Sequence, residues 1–154
     1  MVATSRTALL AGATGLVGRA LLSLLLASKH YRSVHVLLRR TPRDIGASEK
    51  PQIHQVDFTR LPAPFPTIDD VFIALGTTIK IAGSEAAFRQ VDFDFVVNVA
   101  RAARAAGATR LAVVSALGAD LAHLLQPRER RDGDRGHADR LRIGGDRAAI
   151  DAAG

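Results

Sequence analysis

The sequence predicts an α/β fold, a doubly wound parallel sheet, from three observations. A short apolar run, Thr7 to Gly12, leads into a turn carrying three glycines, Gly12, Gly15 and Gly18. A helix-forming stretch rich in leucine follows the turn. Short apolar runs then recur along the chain, separated by helical or loop connections, which is the pattern of strands joined by right-handed crossovers.

The elements follow in order. Thr7-Ala-Leu-Leu-Ala-Gly12 reads as a buried parallel strand because it is apolar throughout instead of alternating. Leu16 to Ser28 is too densely apolar for a one-sided surface helix and is expected to pack hard on the sheet. Ser33 to Leu38, closed by Arg39-Arg40, is the second strand; Ile53 to Phe58 is the third and Asp70 to Leu75 the fourth. Pro62, Pro64 and Pro66 make the crossover between the third and fourth an extended loop. Ser84 to Ala106 lacks proline and internal glycine and is expected to be one long helix, with Ser84 as N-cap and Gly107 as its stop. Arg110 to Ser115 is the fifth strand. The expected order is 3-2-1-4-5, in a sheet that is truncated after its fifth strand.

Composition bounds the class. A chain of 154 residues suits one domain with a core, and an apolar share of 47% with 23% charged residues is ordinary for a globular protein. The absence of cysteine excludes disulfides, cysteine zinc sites and thiol catalysis, and no metal site is expected. The apolar run Ala20–Ala27 is too short for a membrane span and lacks the flanks of a signal peptide, so a cytoplasmic protein without membrane attachment is expected. Residues 121–154 differ from the rest: seven arginines, no lysine, no aromatic residue and five glycines, without apolar periodicity. The expected division is a domain over 1–120 and a disordered or out-of-frame tail over 121–154. With 7 basic against 6 acidic residues, that tail lacks the net charge a nucleic-acid arm needs.

Gly12-Ala-Thr-Gly15-Leu-Val-Gly18 sits between a strand and a helix at the start of the chain. Glycines there allow a tight turn and let backbone approach a pyrophosphate, whose charge rests among the unpaired N–H groups of the helix N-terminus. This makes the fold Rossmann-type and Gly12, Ala13, Thr14, Gly15, Leu16, Val17 and Gly18 candidate cofactor contacts. An acidic residue after the second strand would select NAD; Arg39 and Arg40 stand there instead and favour the 2′-phosphate of NADP, with NAD as the alternative. Asp57 and Phe58 end the third strand where they could flank the adenine, although Asp57 could equally cap its loop. Leu75, Gly76, Thr77 and Thr78 end the fourth strand at the carboxyl edge, where open α/β sheets bind ligands.

Taken together, Leu9–Gly18, Leu37–Arg40, Val56–Phe58, Phe72–Lys80, Phe88–Asp92 and Val113–Ala119 resemble the short-chain dehydrogenase/reductase superfamily, in its atypical branch of Tat-interacting-protein-like and epimerase-like oxidoreductases. The resemblance covers about residues 7–120. It implies that the glycine turn, Arg39, Asp57, Gly76 and Thr77 line the cofactor and that Ser115 is the catalytic-region serine. It also implies a Tyr-x-x-x-Lys pair on the next helix, which this sequence lacks: its one tyrosine is Tyr31 and its lysines are Lys29, Lys50 and Lys80. His123 and His137 are proton-transfer candidates by residue type alone. Read one base later, suitable codons for Leu125–Glu129 give Tyr-Asn-Arg-Val-Lys, so a frameshift between about Leu117 and Leu125 is a testable origin of the tail.

The expected function is therefore NADP(H) binding in an oxidoreductase family that moves hydride to or from a carbonyl or alcohol, with impaired catalysis in the chain as written. The alternative is a non-catalytic dinucleotide-binding regulatory module. The uncovered side of the fifth strand predicts self-association.

Overall fold

The computed structural model describes residues 5–40, 51–63, 65–77 and 79–114, together with the short strand at 142–143. Its elements are β1 (Arg6–Ala11), α1 (Leu16–Ala27), β2 (Tyr31–Leu38), β3 (Pro51–Gln55), β4 (Asp70–Ile73), α2 (Ile79–Ala82), α3 (Glu85–Arg89), a π-turn (Gln90–Asp94), α4 (Phe95–Ala105), β5 (Arg110–Val113) and β6 (Arg142–Ile143). All strand pairs are parallel, in the order β3-β2-β1-β4-β5-β6. The first five strands thus take the expected 3-2-1-4-5 order of a Rossmann-type sheet.

The sixth strand was not expected. Two residues of the arginine-rich stretch pair with β5, Arg110 with Arg142 and Leu111 with Ile143. Parallel pairing needs backbone groups more than a long apolar pattern, and Ile143 is a β-branched residue suited to it. The rest of 121–154, with His123 and His137, lies outside the described residues.

Side-chain alternation along β1 divides the core in two. Ala8 and Leu10 face α1, packing with Leu25 and with Val34, Val36 and Leu38 of β2. Leu9 and Ala11 face the other way, toward Val96, Val99 and Ala103 of α4, with Leu37, Val71 and Ile73 beside them. The extended loop between β3 and β4 adds Phe58 and Ile68 to this second cluster. Among its described residues that crossover holds no helix, in keeping with its prolines.

Helix α1 departs from expectation. Only Gly18 and Leu25 are buried on it, while Leu16 is 91% and Leu24 68% exposed. A helix lying on one sheet face buries a single stripe: Leu21, Leu22 and Leu26 pack beside Leu25 against the sheet, and Leu16 and Leu24 lie outside that stripe.

The helix from Glu85 to Ala105 runs unbroken but not uniformly α. Its cap is the expected one, Ser84 Oγ accepting from Ala87 N at 3.1 Å. In its middle, Phe95 N–H donates to Gln90 O in an i→i+5 bond, which defines the π-turn. Gly107, at φ +98°, ends it.

Strand ends shift for local reasons. Asp57 Oδ1 accepts from both Thr59 N and Thr59 Oγ1, at 2.8 and 2.7 Å, and this turn stops β3 at Gln55, short of the expected Phe58. β2 begins at Tyr31, earlier than expected, because tertiary contacts recruit that residue. Its ring meets Phe72 edge-on, with centroids 6.2 Å apart, and its hydroxyl donates to Asp70 Oδ2 at 3.0 Å.

That contact belongs to a cluster formed by the first residues of four strands. Arg6 of β1 donates to both oxygens of Asp70 of β4, each at 2.7 Å. Tyr31 of β2 adds its hydroxyl, and Arg110 of β5 lies 3.7 Å away. Asp70 is only 2% exposed, and burial alone would raise its pKa; the hydrogen bonds from Arg6 and Tyr31 outweigh this and hold it below 3.8. Tyr31 is pushed up to about 12, first by burial and then by its bond to the carboxylate.

Candidate functional site

At the opposite, carboxyl edge of the sheet, β1 ends in Gly12 at φ +92°. A Cβ there would collide with the Ala74 carbonyl and lie 2.8 Å from Leu75 N. A Cβ at Gly18 would collide with the Gly12 carbonyl. These two glycines are demanded by the protein's own backbone, which crosses itself closely where β1 turns into α1.

Gly15 differs. The nearest atom to a Cβ at Gly15 is Gly12 O at 3.6 Å, an ordinary contact. Gly15 N donates to Gly12 O at 3.2 Å, closing the turn, and Gly15 then stands as the N-cap of α1 without any side-chain cap. The first N–H groups of an α-helix have no partner within it, and an anion placed there would supply one. No acidic residue occupies the first turn of α1 to compete.

The glycine turn forms one wall of a cavity of about 910 Å³. Gly12, Thr14 and Gly15 line it beside Arg39 and Arg40 at the end of β2, Phe58 from the loop after β3, and Leu75, Gly76 and Thr77 after β4. Phe58 stacks on Phe95 of α4, with ring centroids 5.6 Å apart, giving the cavity a fixed aromatic wall. Asn98 Nδ2 donates to Phe58 O at 2.9 Å and fixes that residue further. Leu38 and Val91 extend the apolar lining.

Nine of the sequence-derived candidates therefore meet around one cavity. The others fall elsewhere. Ala13 and Gly18 are buried in the turn, and Leu16 and Val17 are exposed at the start of α1. Asp57 is exposed and turned to Thr59, whose side-chain and backbone hydrogen bonds hold its carboxyl below the usual range. Of its two readings, the loop-capping one fits this geometry. Thr78 and Ser115 lie outside the described residues.

The lining residues not assigned a site role from sequence include, from the crossover helices, Ile81, Ala82, Ala87, Gln90, Val91 and Phe95. Their signal was available, since a helix entering directly after a site-edge strand must pass over that edge. Among the described residues that line the cavity there is no histidine, carboxylate, tyrosine or lysine. They form a binding surface with cationic and backbone donors, without a group that exchanges protons near neutrality. The described residues also contain no group of three metal-ligating side chains and no helix long and apolar enough to cross a membrane.

The glycine that leaves room, the open helix N-terminus, the arginines and the apolar walls fit an elongated molecule with an anionic middle and flat rings. Comparison with known proteins agrees. Residues 12–138 match the NAD(P)H-binding family. The chain is 34% identical over 117 residues to protein FMP52, mitochondrial, of Chaetomium globosum, covering 71% of this chain and 48% of the relative. It is 35% identical over 114 residues to the protein of the same name in Meyerozyma guilliermondii, covering 70% and 47%. The chain thus spans about half the length of the curated relatives it matches.

Among solved structures, uronate dehydrogenase from Agrobacterium tumefaciens superposes with a TM-score of 0.57 at 19% identity, over 73% of this chain and 41% of that one. UDP-glucuronic acid 4-epimerase from Bacillus cereus, solved with NAD and a fluorinated sugar nucleotide, gives 0.55 at 13% identity, over 70% and 39%. Both share the fold.

The relatives correct one expectation, the cytoplasmic location: the curated relatives that match are named as mitochondrial proteins. The features behind that expectation, a short apolar run without the flanks of a signal peptide, do not distinguish one aqueous compartment from another. By its matched residues and by the site they build, the chain belongs to the NAD(P)H-binding family.

Proposed function

We propose that this chain holds NADP(H) for an oxidoreductase whose reaction moves hydride between the nicotinamide and a carbonyl or alcohol. The observation that carries the choice of NADP is the placement of Arg39 and Arg40, both exposed and both lining the cavity that Gly15 opens onto. Their guanidinium groups suit a 2′-phosphate, and no carboxylate lines the cavity among the described residues to take a ribose hydroxyl. The pyrophosphate rests on the first turn of α1, and Phe58 and Leu75 flank the adenine.

Fluorescence titration with NADPH and NADH tests this. The unaltered chain is expected to bind NADPH more tightly. Arg39→Ala combined with Arg40→Ala is expected to weaken NADPH by about 10- to 100-fold, the worth of a lost charge-assisted hydrogen bond or two, and to leave NADH within about twofold. Equal or tighter NADH binding by the unaltered chain would overturn the assignment.

A regulatory module that binds without turnover is favoured by the absence of a proton-transfer group among the described lining residues. Ser115 is proposed as the catalytic-region serine, and alone it cannot supply a proton donor of suitable pKa. We further propose that residues 121–154 are read out of frame beyond a domain at 1–120. Sequencing the coding DNA across codons 110–154 decides between a continued Tyr-x-x-x-Lys frame, which favours the enzyme, and a closed one, which favours the module. The exposed leucines of α1 support self-association, which sedimentation velocity would detect as species above the monomer mass.

A further inference from the structure

A carboxylate of the crossover helix reaches the loop at the cavity edge. Asp92 Oδ1 accepts from Thr77 N at 3.0 Å, joining the π-turn to the loop after β4 across 15 positions in sequence. A Cβ on Gly76 would lie 3.9 Å from the same oxygen, so the carboxylate lies against both residues of that loop. Upstream, Ala74 N donates to Ala11 O at 2.8 Å, the last bond tying β4 to β1. Beyond it, the Thr77–Asp92 bond ties Leu75–Thr77 to the crossover helix. All three of these loop residues line the cavity.

The helix is adapted to this contact. The i→i+5 bond from Phe95 N to Gln90 O accommodates an extra residue, so that Phe95 and α4 keep their register with the core while the turn before them widens. The π-turn sets Val91 and Asp92 closer together around the helix axis than an α-turn does. Gln90 and Val91 therefore line the cavity while Asp92 reaches the loop beside it. π-turns are rare, and they concentrate where a helix serves a site.

We propose that Asp92 is the positioning residue of the dinucleotide site: presented by the π-turn, it holds Leu75–Thr77 in the conformation that receives the cofactor, acting as a hydrogen-bond acceptor and not through its charge. This rests on the dinucleotide reading of the cavity. The role separates from a general structural one by its chemistry, because Asn at this position keeps the acceptor oxygen and removes the charge.

The experiment compares the full chain with Asp92→Asn and Asp92→Ala, reading NADPH affinity by fluorescence titration and the exchange rate of the Thr77 amide by hydrogen–deuterium exchange without ligand. Asp92→Asn is expected to bind within about twofold of the unaltered chain and to keep the Thr77 amide protected. Asp92→Ala is expected to lose about tenfold in affinity, the value of one hydrogen bond, and to lose that protection. If Asp92→Ala does not fold, Asp92→Glu, which moves the acceptor by one methylene, takes its place with the same expected direction. Unchanged NADPH affinity in the variant that frees the Thr77 amide would overturn the role of Asp92 while leaving the dinucleotide reading intact. An equal loss in Asp92→Asn would overturn the acceptor mechanism. Failure of the unaltered chain to bind either NADPH or NADH would overturn the dinucleotide reading itself, and the proposal with it.

Discussion

The two ends of this parallel sheet are built on opposite terms. At the amino end, the first residues of β1, β2, β4 and β5 converge on Asp70, and its two oxygens take bonds from Arg6 and Tyr31 with Arg110 nearby. Asp69 adds to this closure, its Oδ2 accepting from Thr7 N at 2.7 Å. At the carboxyl end, Gly15 leaves space beside it, α1 starts without a side-chain cap, and two arginines face the cavity. Buried polar groups are ordinarily paired within the protein, so donors left open around a cavity mark where a ligand completes the pairing. The amino end closes the sheet and the carboxyl end leaves it unfinished.

This contrast is sharpest if charge is removed at the closed end. Arg6→Leu leaves the buried Asp70 with Tyr31 and the largely exposed Arg110 at 3.7 Å, and is expected to destabilise the fold by about 3 kcal/mol, measured by urea unfolding. A loss below about 1 kcal/mol would show that the cluster is not what ties the four strands together.

Within the open end, the glycines separate into two kinds. Gly18→Ala drives a methyl into the Gly12 carbonyl and is expected to cost about 2 kcal/mol of stability, the range for overpacking against backbone. Gly15→Ala meets nothing closer than 3.6 Å and is expected to leave urea stability within about 1 kcal/mol while weakening NADPH by about tenfold or more. Tight binding by Gly15→Ala would mean that the cavity is approached from another side.

The smallest effect expected is on pH dependence. His35 Nδ1 and His54 Nε2 are 2.8 Å apart on neighbouring strands, so one nitrogen must carry a proton and the other a lone pair. Burial, and then the neighbouring His54, holds His35 below the ordinary 6.5, and burial does the same to His54. For a histidine lowered in the fold, protons bind the unfolded chain more readily, so stability is complete above 6.5 and declines as pH falls from there toward the folded value. Asp70 adds a separate step: its lowered pKa gives stability that is present above 3.8 and lost as pH falls through its folded value. His54→Gln is expected to flatten the first step and leave the second, as urea midpoints across pH would show.

The degree to which sequence anticipated structure follows the same division. That the glycine turn, the arginine pair and the loop after β4 share one sheet edge was legible, because close backbone approach needs glycine at particular spacings and strand ends are marked by local pattern. The amino-end cluster was not: Arg6, Tyr31, Asp70 and Arg110 are 25 to 40 residues apart in sequence between successive members, and only strand order brings them together. Asp92 was part of a motif without a role, because a π-turn leaves no periodic trace in a stretch that reads as continuous helix. The exposure of Leu16 and Leu24 was likewise hidden, since apolar density does not tell how many sides of a helix find a partner.

The sequence by itself determined the alternation of strands and crossovers, the parallel sheet and the place of the glycine turn, because each depends on local pattern and on glycine's freedom of backbone. Tertiary structure alone decided which charges are matched, which apolar residues remain outside, that Arg142–Ile143 joins the sheet, and that a carboxylate on the crossover helix holds the loop at the cavity. Those outcomes depend on distances between segments remote in the chain, which packing sets and no local pattern encodes.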